Sequence, residues 1–349
     1  MRIRRTFPIL LAVVIVAAAV TLAVQLRKQA PPEPARLLPG ADAFFYLNLG
    51  WARKAAGGNA LPSVSHHPEY ERFIQATGIE FERDLDAAAF AVHYPASWPG
   101  GGTGGPSREP RFSEVFVGKF HGERLAAYLK QLATSTENYN SVDIFTVPVQ
   151  DRSFRVAILG VDSVAASNHD DPAVIRAMVD RSRRLASPFG GPAFLRKYYK
   201  QVQLASPVWI VARIQPAAPH FGGWNAVFPK PADLVISASY NPLLLPLRPG
   251  ALHLRAEALA QSPDDARSIA EQMNVFLGLF HGAEISVGSR GNDPDVKAFL
   301  DSLQVRQQGE RAILSATIPP GFLHKMFSPE EPPATPPAPP SQPPASKSH

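Results

Sequence analysis

The chain contains no cysteine. That excludes disulfides, thiolate metal sites and a cysteine nucleophile, and a stable body must therefore rest on its core. It also has no net charge outside one short segment. The 349 residues sum to +5 with a pI near 9.4, yet Arg2, Arg4, Arg5, Arg27 and Lys28 all lie within the first thirty, where there is no acid. The remaining 30 basic and 30 acidic residues balance. A neutral body gives no support to a nucleic-acid partner. Nucleophile and zinc signatures are missing too: there is no G-x-S-x-G, no Ser-x-x-Lys and no His-Glu-x-x-His. Beyond the first thirty residues no apolar run is long enough to cross a bilayer.

One such run is present. Phe7 to Leu26 is broken only by Pro8, Thr21 and Gln25. At 1.5 Å per residue it spans about 30 Å, one hydrocarbon thickness. The arginines before it orient the N-terminus to the cytoplasm. The expected location is the inner membrane, single-pass and N-in, with the bulk of the chain outside. An uncleaved anchor over residues 1–28 is the first reading. A cleaved signal peptide, using the small residues Ala17-Ala18-Ala19 or Thr21-Leu22-Ala23, is the second, and a buried core helix the third.

Prolines mark both ends of the body. Pro31, Pro32, Pro34 and Pro39 predict a stiff extended stalk over residues 29–40. Ser328 to His349 holds nine prolines in 22 residues and too few apolar side chains for a core, which predicts a disordered tail. Between them, strand-like and helix-like periods alternate. The order strand 114–120, helix 122–133, strands 142–149 and 155–161, helix 172–183, strand 208–214 follows a β-α-β-β-α-β unit. The expected fold is α+β: an N-terminal transmembrane helix, then two tandem ferredoxin-like halves over 41–220 and 221–327, each an antiparallel sheet with helices.

Leu37-Leu38-Pro39-Gly40-Ala41-Asp42-Ala43, Val115–Leu129, Val156–Met178, the strand Leu252–Ala258 and Ile313–Phe322 carry a resemblance. The chain resembles uncharacterised membrane-anchored bacterial cell-envelope proteins built on a domain of unknown function, of the acidobacterial type. The resemblance implies an extracytoplasmic α+β protein. Its motifs are structural and carry over no functional residue.

Candidate chemistry is sparse. Gly100 to Gly105 contains a literal G-x-G-x-x-G, but Pro99, Pro106 and Pro110 surround it and no helix opens there, so it reads as a loop. His66-His67-Pro68-Glu69 and Asn168-His169-Asp170-Asp171 have metal-like residue types, but adjacent histidines point apart, and both precede helices, where capping explains them. The residues imply no cofactor, no metal and no catalytic set. One charged feature remains. Arg176, Arg181, Arg183, Arg184, Arg196, Lys197 and Lys200 face a single acid, Asp180, between residues 172 and 204. They read as solvated helix faces or as a contact for anionic headgroups or an acidic envelope polymer. The leading expectation is a non-catalytic binding or scaffold protein of the cell envelope, with an envelope protein or polymer as partner. An envelope hydrolase with scattered catalytic residues, or a secreted protein freed by signal cleavage, are the alternatives.

Overall fold

The computed structural model describes residues 30–55, 67–94, 109–150, 152–183, 190–216, 227–240, 251–286 and 294–327. No helix among them is long and apolar enough to cross a membrane, and Phe7–Leu26 lies outside them. The proline-rich tail, the Gly100–Gly105 run, His66 and Arg184 also lie outside.

The strands are β1 (Ala43–Asn48), β2 (Leu85–His93), β3 (Arg111–Gly118), β4 (Ser135–Tyr139), β5 (Val142–Val149), β6 (Arg152–Ile158), β7 (Ser163–Ser167), β8 (Val208–Ile214), β9 (Ala232–Ser239), β10 (Leu252–Ala260), β11 (Gln304–Gln308) and β12 (Arg311–Ile318). The helices are α1 (Glu33–Leu37), α2 (Leu49–Ala55), α3 (Pro68–Thr77), α4 (Phe81–Asp84), α5 (Gly122–Leu132), α6 (Ala173–Arg183), α7 (Ala193–Tyr198) with a 3-10 turn (Tyr199–Gln201), α8 (Pro263–Ser286), α9 (Pro294–Asp301) and α10 (Pro320–Phe327).

The fold is α+β, built on one antiparallel sheet of twelve strands in the order β11-β12-β10-β9-β8-β1-β2-β3-β7-β6-β5-β4. The expected ferredoxin-like order is therefore replaced. The strands β4 and β7 intervene, and β3 is bonded to β2 and β7 rather than to β6 and β8. The halves are also not separate sheets, because β1 pairs with β8 through Ala43↔Ala212 and Phe45↔Ile210.

A different repeat takes its place. With α2 to α4, β4, β5 and α9 set aside as insertions, the succession β1-β2-β3-α5-β6-β7-α6 recurs as β8-β9-β10-α8-β11-β12-α10, and the short helix α1 before β1 matches α7 before β8. Outward from the β1/β8 pair, the sheet orders 1-2-3-7-6 and 8-9-10-12-11 mirror one another. An antiparallel pair at the centre is what a twofold axis normal to the sheet produces. The repeat opens at α7, ahead of the boundary expected at residue 220.

Side chains alternate across the pleat, so each strand feeds two layers. One face buries Phe44, Ala89, Val115 and Trp209 beneath α1, α6 and α7. The opposite face packs Phe145 and Val164 under α5, and Leu234, Ala258 and Ala312 under α8. Local devices match their residues. Asp171 Oδ1 accepts the Ala173 N–H at 2.8 Å at the start of α6, and Ser262 Oγ accepts the Asp265 N–H at 3.1 Å at the start of α8. His67 precedes α3 without a side-chain cap.

The stalk expectation is corrected at its centre. Residues 33–37 form α1, with Pro34 at its first turn, and Ala35, Leu37 and Leu38 are buried. Proline there suits helix initiation, and the apolar triplet joins the core.

At the end of β3, Gly118 meets the start of β2, where the register shifts between Leu85 and Ala87. A Cβ on Gly118 would lie 2.3 Å from the Asp84 carbonyl oxygen and 2.9 Å from Leu85 Cα. Backbone cannot rotate away as a side chain does. Gly118→Ala is expected to destabilise by about 1–3 kcal/mol, read as a lower denaturation midpoint. An unchanged midpoint would show that the two strands separate freely there.

Candidate functional site

Six of the seven cations lie among the described residues, and three of them are engaged within the fold. Arg176 makes a two-pronged ion pair with Glu137 of β4, at 2.8 and 3.0 Å. Arg181 donates to the Leu38 carbonyl at 2.9 Å, and burial lowers its pKa from the usual arginine value. Arg183 donates to the Asn140 carbonyl at 3.1 Å. These three fasten α6 to its neighbours. Arg196, Lys197 and Lys200 are exposed on α7 and its 3-10 turn, which pack elsewhere on the same face.

Beneath α1 and α6 lies a buried polar row that the sequence did not announce. His93 on β2 contacts Ser113 on β3 through Nε2 at 3.0 Å, and Ser113 meets Ser167 of β7 at 2.9 Å. The His93 ring also hydrogen-bonds the Gly40 backbone, and the Ser167 hydroxyl donates to the Phe112 carbonyl at 3.2 Å, so the row runs from histidine through both serines to the backbone. His93 is only 4% exposed, and burial, reinforced by nearby His169, pushes its pKa down to about 4. A serine beside a neutral histidine is the beginning of a nucleophile–base pair. Here Ser113 is fully buried, so no substrate carbonyl reaches it. The row is a satisfied core network. At its end Arg111 pairs with Asp170 at 3.0 Å, and Asn168 Oδ1 accepts the Phe112 N–H at 2.6 Å. Two residues of the Asn168–Asp171 cluster are thus bound to neighbouring strands. Among the described residues no three His, Asp or Glu side chains are grouped to hold a metal ion.

Among the described residues, the helix layer of the opposite face has a gap. Its α5 lies over β5 to β7 and its α8 over β9, β10 and β12, which leaves the central strands between them. The strand registers align Ile236, Ile210, Phe45, Phe90 and Glu114 in one row across five strands. Phe45 is 38% exposed and Phe112, one pleat along β3, 36%. Phe90 and Phe116 meet edge to face at 5.8 Å. Burial among these rings raises the Glu114 carboxyl above its ordinary pKa. Sequence reading missed the strip because each phenylalanine belongs to a different apolar run; only the pairing puts them side by side.

A second concavity, of about 710 Å³, opens on the α7 face at the ends of β8, β9 and β10. Tyr198 donates its hydroxyl to Asp233, which lies 3.9 Å from the Arg213 Nε. The Arg213 guanidinium rests 4.8 Å over the Phe194 ring. Lys197 sits 4.6 Å from the Tyr198 ring centre and its pKa is raised by the hydrogen bond to that hydroxyl. Gln201, Gln261 and Glu310 complete the polar rim, and Ile214, Pro231 and Leu259 the apolar wall. Lys197 is the one member of the basic set that borders this cleft.

Comparison with known proteins gives no match to a family model and none to a curated protein. Among solved structures, three crystal forms of TP0453 align. Form III does so at 10% identity over 84% of this chain and 97% of that one, with a TM-score of 0.46. Form I covers 85% and 97% at 10% identity and 0.42, and form IV 85% and 96% at 10% identity and 0.39.

Proposed function

We propose that the chain is a non-catalytic binding or scaffold protein of the cell envelope, held by its N-terminal helix with the body outside the inner membrane. The observation that carries the binding reading is the aromatic strip. Phe45 and Phe112 keep more than a third of their surface exposed on the floor between α5 and α8, and covering it would add part of the stabilisation of a fully buried phenylalanine. Contiguous apolar surface of this kind marks an interaction site. Nothing in the strip resembles a reactive constellation. Its one ionisable side chain, Glu114, has burial as the sole cause of its raised pKa. The run Phe7–Leu26 supports the anchor, and the exposed Arg196 and Lys200 support a supplementary contact with anionic headgroups or an acidic envelope polymer.

The absence of cysteine makes the test direct. Lys200→Cys is expected to react with a membrane-impermeant thiol reagent in intact spheroplasts and to fractionate with the inner membrane. A photoreactive residue at Phe45 or Phe112 is expected to yield a discrete crosslinked species in cells, and one at the remote exposed Glu123 is not. Labelling only after lysis would overturn the location. Equal crosslinking from all three positions would overturn the strip as the contact surface.

A further inference from the structure

The polar cleft beside α7 has a chemistry of its own, independent of the aromatic strip on the other face. Its charges cancel. Lys197 and Arg213 stand against Asp233 and Glu310, so the cleft offers no net field to a phosphate or polyanion. Its central groups are fixed in place. Tyr198 is held by Asp233, and Arg213 lies 3.6 Å from Asp42 through Nη1, 3.9 Å from Asp233 through Nε and over the Phe194 ring. The guanidinium and the Asp233 carboxylate present donors and acceptors at set angles, which suits a ligand with adjacent hydroxyls. Ile214, Pro231 and Leu259 offer C–H surface on which the apolar face of a sugar ring packs. The volume of about 710 Å³ exceeds the needs of one monosaccharide and lies within the range of small-ligand sites.

From this combination we infer that the cleft binds an uncharged, hydroxyl- and amide-bearing oligosaccharide, with Asp233 accepting and Arg213 donating. The corresponding end of the first half is built differently. There α2 follows β1, and Arg53 of α2 donates to the Leu85 carbonyl and to Asp86. Among the described residues β8 has no such helix after it. The repeat has kept its strands and diverged at this corner.

The test titrates the full chain in detergent with a soluble N-acetylglucosamine tetrasaccharide, with cellotetraose and with inorganic phosphate, followed by calorimetry or amide shifts. Saturable binding of at least one saccharide is expected, with a dissociation constant of about 1 mM or tighter. Asp233→Asn is expected to weaken it by about tenfold. Gln261→Ala, at an exposed rim position that leaves the core untouched, is expected to weaken it several-fold, and Glu123→Gln to leave it unchanged. No saccharide binding at 10 mM probe would overturn the inference, as would binding that neither cleft substitution alters, or phosphate binding more tightly than both sugars. None of these outcomes bears on the crosslinks from Phe45 and Phe112, so the two readings fail separately.

Discussion

Trp209→Ala is expected to cost about 3–5 kcal/mol and to lower the denaturation midpoint more than any surface substitution. Trp209 sits on β8 and is 1% exposed. Its ring stacks on Tyr46 of β1 at 5.5 Å and meets Tyr199 edge-on at 5.3 Å. It therefore occupies the junction where the two halves of the sheet join, with Val211 and Val235 in the same cluster. Deleting the indole leaves a cavity at the strands that, among the described residues, carry the sheet contact between the halves. The same site separates packing from polarity. Trp209 Nε1 is buried without a hydrogen-bond partner. Trp209→Phe removes that unanswered donor while keeping most of the ring, so its cost is expected to be less than half that of the alanine variant. Urea unfolding followed by far-ultraviolet dichroism checks both. If phenylalanine and alanine proved equally costly, packing at the junction would not be the source of the effect.

How far the fold was legible depended on what each strand exposes. The strands β5 and β8 match their expected bounds, because Val142–Val149 and Val208–Ile214 are rich in β-branched and apolar residues. Three strands were not legible. The edge strands β4 and β11, Ser-Thr-Glu-Asn-Tyr and Gln-Val-Arg-Gln-Gln, are mostly exposed, and their polarity protects an open edge at the expense of the apolar pattern. The strand β7, Ser-Val-Ala-Ala-Ser, is buried throughout and too small-sided to look like a strand. Missing β4 and β7 alone turned a strand order of 1-2-3-7-6 into a ferredoxin-like reading. The functional surfaces were less legible still. The Ile210–Phe45–Phe90 row joins β8, β1 and β2, and Tyr198, Arg213 and Asp233 come from α7, β8 and β9. Register and topology create such neighbours, and neither is written in local periodicity. The basic run was legible as composition, but Arg176 and Arg181 are engaged in holding α6 in place.

Acid should destabilise the protein through His93, within a window that the histidine itself defines. Its pKa in the folded chain is about 4, against an ordinary value of 6.5, because burial disfavours the imidazolium and His169 adds to the effect. Below pH 6.5 the unfolded chain binds a proton at this position that the folded chain refuses. Unfolding therefore takes up protons, and stability falls as pH drops from 6.5 to 4. Above 6.5 neither state is protonated, so the full contribution is present; below 4 both are, and the loss is complete. A fall from 6.5 to about 4 corresponds to about 3 kcal/mol. The lowered pKa of half-buried His169 acts in the same direction. Protonation perturbs the network as well, because an imidazolium donates from both ring nitrogens, and Ser113, 3.0 Å from Nε2, is in turn bonded to Ser167. His93→Gln keeps a neutral side chain with an acceptor and a donor. The variant is expected to be less stable than the parent at pH 7.5, since a flexible amide replaces a ring, but to lose much less stability between pH 6.5 and 4. Parallel urea titrations across that range decide it. Equal slopes in the two proteins would show that His93 titrates normally and that its place in the core carries no proton linkage.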